Sequence, residues 1–282
     1  MPFRNPEAWR ASGSTWDFDG VPIFYKQQGS GPPLVCLHGF PTASWDYHKI
    51  WPALIARHTV IAPDFIGFGF SSKPPNANYS VNYQADLIEA LLANLGVRSA
   101  HLLCHDYGDT VGQELLARMC EGKGLNWIDV TMLNGGLFPE THRPRLIQRL
   151  LLTPFGPLVA KMTTKARFDS NLRAIFGPDT PPSAEELEHY WTLIVRNGGR
   201  ARVPDLLRYI PERVAHRERW VAALDCGVPM KLINGTLDPV SGGHMVDRYE
   251  KLFPGRDVIR MDHVGHYPHM EDPEGVIQAL FD

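Results

Sequence analysis

An α/β fold with an eight-stranded, mostly parallel sheet, flanked by helices and interrupted by a helical insertion, is predicted for this 282-residue chain by three observations. Strand-length apolar runs alternate with helical stretches, the rhythm of parallel strands joined by crossover helices. The first two runs instead flank Asp19-Gly20, a two-residue hairpin signal, so the sheet opens antiparallel. One long interval carries helical segments and no strand-like run.

In chain order, the hairpin joins residues 16–18 to 21–25, and apolar strands follow at 34–37, 59–62, 101–104, 128–133, 230–233 and 258–261. Tyr83, Leu87, Leu91 and Leu95 recur at helical spacing, and residues 108–119 continue from a strand directly into a second helix. From about 138 to 220 the rhythm breaks into Pro-punctuated helices, including Ala184–Val195 and 203–209. The expected organisation is a core of residues 1–137 and 221–282 with a helical cap (lid) over 138–220. That insert holds 14 of the 28 basic residues and 9 of the 31 acidic ones, a net +5 against −8 for the remainder. Solvated helix faces account for such a bias; a funnel for anionic substrates is the other reading.

Hydrophobic residues make up 44% and charged residues 21%, and 28 Lys+Arg against 31 Asp+Glu leave −3. Disorder is excluded by this balance. The near-neutral charge argues against a general nucleic-acid or membrane-surface role, since either calls for a basic excess. No apolar run approaches the ~18 residues of a membrane span, and the opening MPFRNPEAWR lacks a signal peptide's apolar stretch. The expectation is a cytoplasmic monomer or homodimer acting on a small molecule, with no nucleic-acid or membrane partner. Cys36, Cys104, Cys120 and Cys226 are scattered without a C-x-x-C pair, so they read as buried thiols rather than as a metal or redox site.

Residues 101–104 run into His105-Asp106-Tyr107-Gly108 and then a helix, the strand, tight turn, helix context of a nucleophile elbow with Asp106 where a Ser usually stands. Small residues are needed two before and two after the nucleophile; Gly108 fits and Cys104 is acceptable. By itself an Asp opening a helix is ordinarily an N-cap. Leu37-His38-Gly39-Phe40-Pro41, however, follows the earlier strand, where a backbone N–H completes an oxyanion hole, making Phe40 and Tyr107 the expected donors. Asp238 follows one later strand and His266 the next, so nucleophile, acid and base occur in triad order, each just beyond a strand's C-terminal end. His266 outranks His263 because Tyr267-Pro268 follow it; His263 and His105 are expected in supporting or surface positions.

These motifs resemble the α/β-hydrolase fold, and within it the aspartate-nucleophile branch of epoxide hydrolases and haloalkane or haloacetate dehalogenases. More narrowly, HDYGDTVGQELL (105–116), NGGLFPETHRP (134–144), LLRYIPERVAHRERWVAAL (206–224) and HYPHMEDPEG (266–275) are similar to hydrolases of the mesoderm-specific transcript type. Residues 64–71 also resemble that fold's loop after its fourth strand, so Gly67 and Gly69 are not a nucleotide signature. The resemblance implies an Asp106 nucleophile, an Asp238–His266 acid–base pair and no cofactor or metal. It also places Tyr209 where epoxide hydrolases carry a ring-opening tyrosine, with Tyr190 as candidate partner; His38 and Trp191 are expected to contact substrate. Tyr209 could instead simply pack a helix onto the core.

A carboxylate attacks sp³ carbon bearing a strained oxygen or a halide, giving an ester that His266 helps water to hydrolyse while Asp238 orients the ring. Phe40 and Tyr107 stand where the resemblance puts the Asn and Trp halide donors of haloalkane dehalogenases, and Tyr107 is not the Arg usual in haloacetate dehalogenases. The expected function is therefore opening of an apolar epoxide to a vicinal diol. Dehalogenation and a non-catalytic ligand-binding role are the alternatives.

Overall fold

The computed structural model describes residues 5–282. Strands β1 (Ser14–Phe18), β2 (Val21–Gln28), β3 (Pro33–Leu37), β4 (Thr59–Pro63), β5 (Ser99–His105), β6 (Asn126–Leu133), β7 (Met230–Gly235) and β8 (Asp257–Met261) form one sheet in the order β1-β2-β4-β3-β5-β6-β7-β8. Asp19 and Gly20 take φ of 51° and 81°, turning β1 back antiparallel onto β2. β2 is also antiparallel to β4, and every later pairing is parallel. Each expected strand is present and one to three residues longer, because pairing continues past the last apolar side chain.

Strand residues alternate between two cores, as the period of two requires. Val35, Leu37, Leu102, Cys104, Met132 and Leu232 face one layer, packed on Leu87, Leu91, Val111 and Leu115. Leu34, Cys36, Leu103, Leu133 and Ile233 face the other, packed on Trp9, Trp45, Trp51 and Val276. The first layer's helices are Val81–Asn94, capped by the Ser80 hydroxyl accepting from the Tyr83 amide at 3.2 Å, and Tyr107–Cys120, buried along most of its length.

Between β6 and β7 the described chain contains helices and no strand. Ala184–Val195 forms as the spacing predicts, opened by a capping box of Ser183 and Glu186. The expected helix over 203–209 is instead two short ones, Val203–Leu206 and Tyr209–Ala215. Further on, Trp220 Nε1 donates to the buried Glu114 at 2.7 Å, where Arg118 and Arg219 also converge, tying the end of this segment to the sheet-packed helix.

Two cysteines correct the thiol reading. Cys120, exposed at the end of its helix, and Cys226, in the turn before β7, form a disulfide, with Cα atoms 6.0 Å apart despite 106 residues between them. The sheet order that sets β6 beside β7 brings them together; linear spacing carries no trace of it. Cys36 and Cys104 are free and buried. A disulfide is the state oxidising compartments preserve, which pulls against the cytoplasmic expectation. Among the described residues no helix is long and apolar enough to cross a membrane.

Candidate active site

Loops beyond the C-terminal ends of β3, β5, β7 and β8 converge on one point. β5 ends at His105 and the next helix begins at Tyr107, so Asp106 makes the whole turn, with φ 47° and ψ −100°. A non-glycine residue at such φ is strained and is held there by its surroundings. A Cβ on Gly108 would strike the Leu37 carbonyl oxygen, and one on Gly39 would stand 2.5 Å from His105 Nδ1. The N-cap alternative is not what the side chain does: Asp106 makes no capping bond to its helix. Its Oδ2 accepts from the Phe40 amide at 3.0 Å instead. The Tyr107 amide, first in the helix, belongs to the turn whose N–H groups have no intrahelical acceptor.

His266 Nδ1 lies 2.7 Å from Asp238 Oδ2, and Nε2 lies 3.9 Å from Asp106 Oδ2, a charge contact rather than a hydrogen bond. All three side chains are buried. Since a carboxylate only accepts, Nδ1 carries a proton. Asp238 is further satisfied by the Val240 amide on Oδ1 at 2.7 Å, and on Oδ2 by Asn134 Nδ2 at 3.1 Å, the Ser241 amide at 3.1 Å and the Ser241 hydroxyl at 2.9 Å. Burial alone would raise its pKa, but His266 and these donors hold it below the ordinary carboxylate value. Burial would likewise favour neutral imidazole at His266, yet Asp238 on one side and Asp106 on the other hold its pKa well above the usual one.

Arg213, which nothing in the sequence singled out, lies beneath the elbow. It is buried, donates from Nε to the Thr110 hydroxyl at 2.7 Å and from Nη2 to the Asp106 carbonyl at 3.3 Å, and stands 4.0 Å from Asp106 Oδ1. Burial pushes the Asp106 pKa up; the facing His266 and then Arg213 override it and hold the carboxyl below its ordinary range. No periodicity distinguishes this Arg from the insert's other bases. Asn134 opens the NGGLFPETHRP segment, whose resemblance alone gives this residue no role; its φ of 47° aims the amide at Asp238. Glu271 accepts from the Gly265 and Gly177 amides and the Thr180 hydroxyl on Oε2 and from the Tyr267 amide on Oε1, clamping the His266 loop to the segment between β6 and β7. His105 also supports that loop, its Nε2 donating to the His266 carbonyl at 2.8 Å, with burial lowering its pKa to about 3. His263 is exposed and pairs with Asp272. One buried group, Asp46, His105 and His269, has the ligand types for a metal.

Above Asp106 and His266 opens a cavity of about 930 Å³ including its mouth. Its walls are mostly apolar, among them Phe40, Leu151, Phe168, Leu172, Trp191 and Tyr209, with Asn171, Arg145 and Arg200 among the polar ones. Tyr209 stacks its ring edge-on to Tyr107 at 5.1 Å, with the Arg213 guanidinium 4.6 Å from its centre. Burial, then the Asp106 charge, pushes its pKa up, so it keeps its proton. Two expected side chains, those of Tyr190 and His38, do not line this cavity. Tyr190 points into the packed layer, 5.4 Å from Trp45 and 6.2 Å from Tyr267 between ring centres, so the two tyrosines do not converge. His38 is spent on the Gly39 carbonyl at 2.9 Å and the Phe65 amide at 3.2 Å, which fixes the Phe40 turn. The Tyr107 ring packs on Phe65 and Phe68.

Comparison with known proteins agrees with this fold. The Alpha/beta hydrolase family matches residues 34–279. The chain is 43% identical over 286 residues to the mesoderm-specific transcript homolog proteins of Bos taurus and Homo sapiens, covering 96% of this chain and 85% of theirs. Among solved structures, haloalkane dehalogenase DbeA from Bradyrhizobium elkani USDA94 superimposes with a TM-score of 0.79 at 23% identity, covering 95% of this chain and 96% of its own, a likeness of fold. The chain belongs to the alpha/beta hydrolase family.

Proposed function

We propose that the protein opens an apolar epoxide to a vicinal diol through an ester on Asp106, with residues 138–220 acting as the cap over the site. The observation that carries this reading is the Asp106 carboxyl at a strained elbow, facing His266 and Arg213, on the floor of a mostly apolar cavity that His266 and Tyr209 also line. Asp106 attacks the epoxide carbon, the C–O bond breaks, and the Tyr209 hydroxyl gives its proton to the departing alkoxide. Esterification removes the charge of Asp106, so His266 loses one of the two anions that raise its pKa and gives up its proton more readily, which frees the neutral ring to act as base. The ring passes its proton on to the Tyr209 phenolate and then takes one from water. The resulting hydroxide attacks the ester carbonyl, the Phe40 and Tyr107 amides hold the oxyanion, and collapse releases the diol and regenerates the carboxylate.

Single turnover in ¹⁸O-labelled water tests this. Label should enter the Asp106 carboxyl during turnover; diol formation with no label in that side chain would overturn the covalent route. Trp191 and Asn171 line the cavity and carry N–H donors, which favours dehalogenation as a second reading. Halide release from a haloalkane that persists in Tyr209→Phe would support it.

A further inference from the structure

Of the nine large apolar side chains exposed among the described residues, six crowd into one stretch: Leu146, Leu150, Leu152, Phe155, Leu158 and Met162. Leu146 and Phe155 are each 71% exposed and Met162 70%. Helices Leu146–Leu151 and Gly156–Met162 carry most of them, and each is apolar on two sides. In the first, Ile147 and Leu151, one turn apart, line the cavity, while Leu146 and Leu150, also one turn apart, face outward. In the second, Ala160 lines the cavity while Leu158 and Met162 face outward, with Phe155 a turn earlier. The inner sides have a packed interior to justify them. A surface helix in water carries a polar outer side, whereas on these two the exposed polar side chains are Arg149 and Lys161, set among Leu146, Leu150, Leu158 and Met162.

Charge selects what meets the outer side. From residue 141 to 168 the chain has six bases, Arg143, Arg145, Arg149, Lys161, Lys165 and Arg167, and no Asp or Glu. Arg143, Arg149, Lys161 and Arg167 are exposed. A second copy seated symmetrically on this face would set these bases against their own kind, which is costly. An anionic phospholipid surface offers both things the face lacks, acyl chains for the apolar residues and negative headgroups for the bases.

We propose that this face docks on anionic bilayers, with Leu146, Phe155, Leu158 and Met162 entering the headgroup–acyl boundary. Because the same two helices wall the cavity, docking sets the cavity beside the lipid, where an apolar amphiphile already resides. The docking stands whichever bond the site cleaves. It also revises the expectation of no membrane partner: a net −3 averages over a local surface of opposite character.

Vesicle flotation of the full chain tests it, comparing phosphatidylcholine containing phosphatidylserine with phosphatidylcholine alone. Wild type should float with the anionic vesicles and lose binding as salt rises. Combined Phe155→Ser, Leu158→Ser and Met162→Ser should cut partitioning by about tenfold or more. Arg149→Gln or Lys161→Gln should each cut it by about fivefold. None of these side chains lines the cavity, so thermal unfolding should stay close to wild type; should the triple variant misfold, the two charge variants carry the test. Wild type that stays below the vesicles, or variants that bind equally, would overturn the proposal. So would sedimentation showing a dimer that the Ser substitutions dissociate without any vesicle binding.

Discussion

The C-terminal edge of the sheet and the helices between β6 and β7 wall the same cavity under different constraints. At the edge, backbone geometry places each functional group: a one-residue elbow for Asp106, the tight Gly39 turn for Phe40, and a loop pinned by Glu271 for His266. Between β6 and β7, tertiary packing and side-chain hydrogen bonds decide where a residue points. Tyr209 faces the cavity and Tyr190, also on a helix of this segment, faces the opposite layer. Topology makes the first region's roles readable from motif order, whereas tertiary contacts set the second region's.

If that division is real, the largest effects come from the edge. Asp106→Asn should lower turnover by about 10³-fold or more, since an amide is not a nucleophile, whereas His266→Gln should stop only the second half of the cycle. Intact-mass spectrometry separates them: a stoichiometric adduct in His266→Gln, none in Asp106→Asn. An adduct in both would move the nucleophile elsewhere. Gly108→Ala attacks the elbow through stability, because its Cβ must displace the Leu37 carbonyl. A loss of about 3 kcal/mol or more in urea unfolding is expected, and a neutral result would mean the elbow is looser than its contacts imply.

A smaller effect probes the second region. Tyr209→Phe should lower kcat by about tenfold to a hundredfold, through loss of the ring-opening proton. Tyr190→Phe should leave kcat within about twofold, because its ring packs against Trp45 and Tyr267 away from the cavity. Equal losses in both would erase the distinction between cavity-facing and layer-facing tyrosines.

The same division explains what could be read beforehand. Six strands were legible because parallel strands are short apolar runs, β1 and β2 because they flank the Asp19-Gly20 turn, and the Asp106, Asp238 and His266 order was legible because each follows such a run. Ala184–Val195 was legible as a helical segment of the strand-free interval, and the structure adds the Ser183 and Glu186 capping box that opens it. Arg213 was not, since one base among the insert's fourteen carries no mark of lying under an elbow. Nor was the Cys120–Cys226 bond, which depends on β6 lying beside β7. The substrate roles expected of His38 and Tyr190 rested on residue type at a plausible position, and the hydrogen bonds that engage His38 and the packing that turns Tyr190 away are invisible in one dimension.

Arg213 is where the second region reaches into the first, and pH reveals by how much. The free enzyme needs Asp106 ionised, so kcat/KM falls as pH drops through that group's pKa. His266 and Arg213 hold the carboxyl below its ordinary range, so the acid limb of wild type should lie below that range as well. Arg213→Met removes one source of the depression, and the limb should move to higher pH, while Arg213→Lys, which keeps the charge, should move it less. Stability follows the same sign. A carboxylate with a depressed folded-state pKa contributes stability above its unfolded pKa and loses it as pH falls through the folded one, so acid unfolding of Arg213→Met should also begin at higher pH. Were Arg213 only a packing element, its loss would lower rate and stability alike at every pH; a limb that moves while the neutral-pH rate holds means the helices between β6 and β7 tune the nucleophile's charge as well as enclose it.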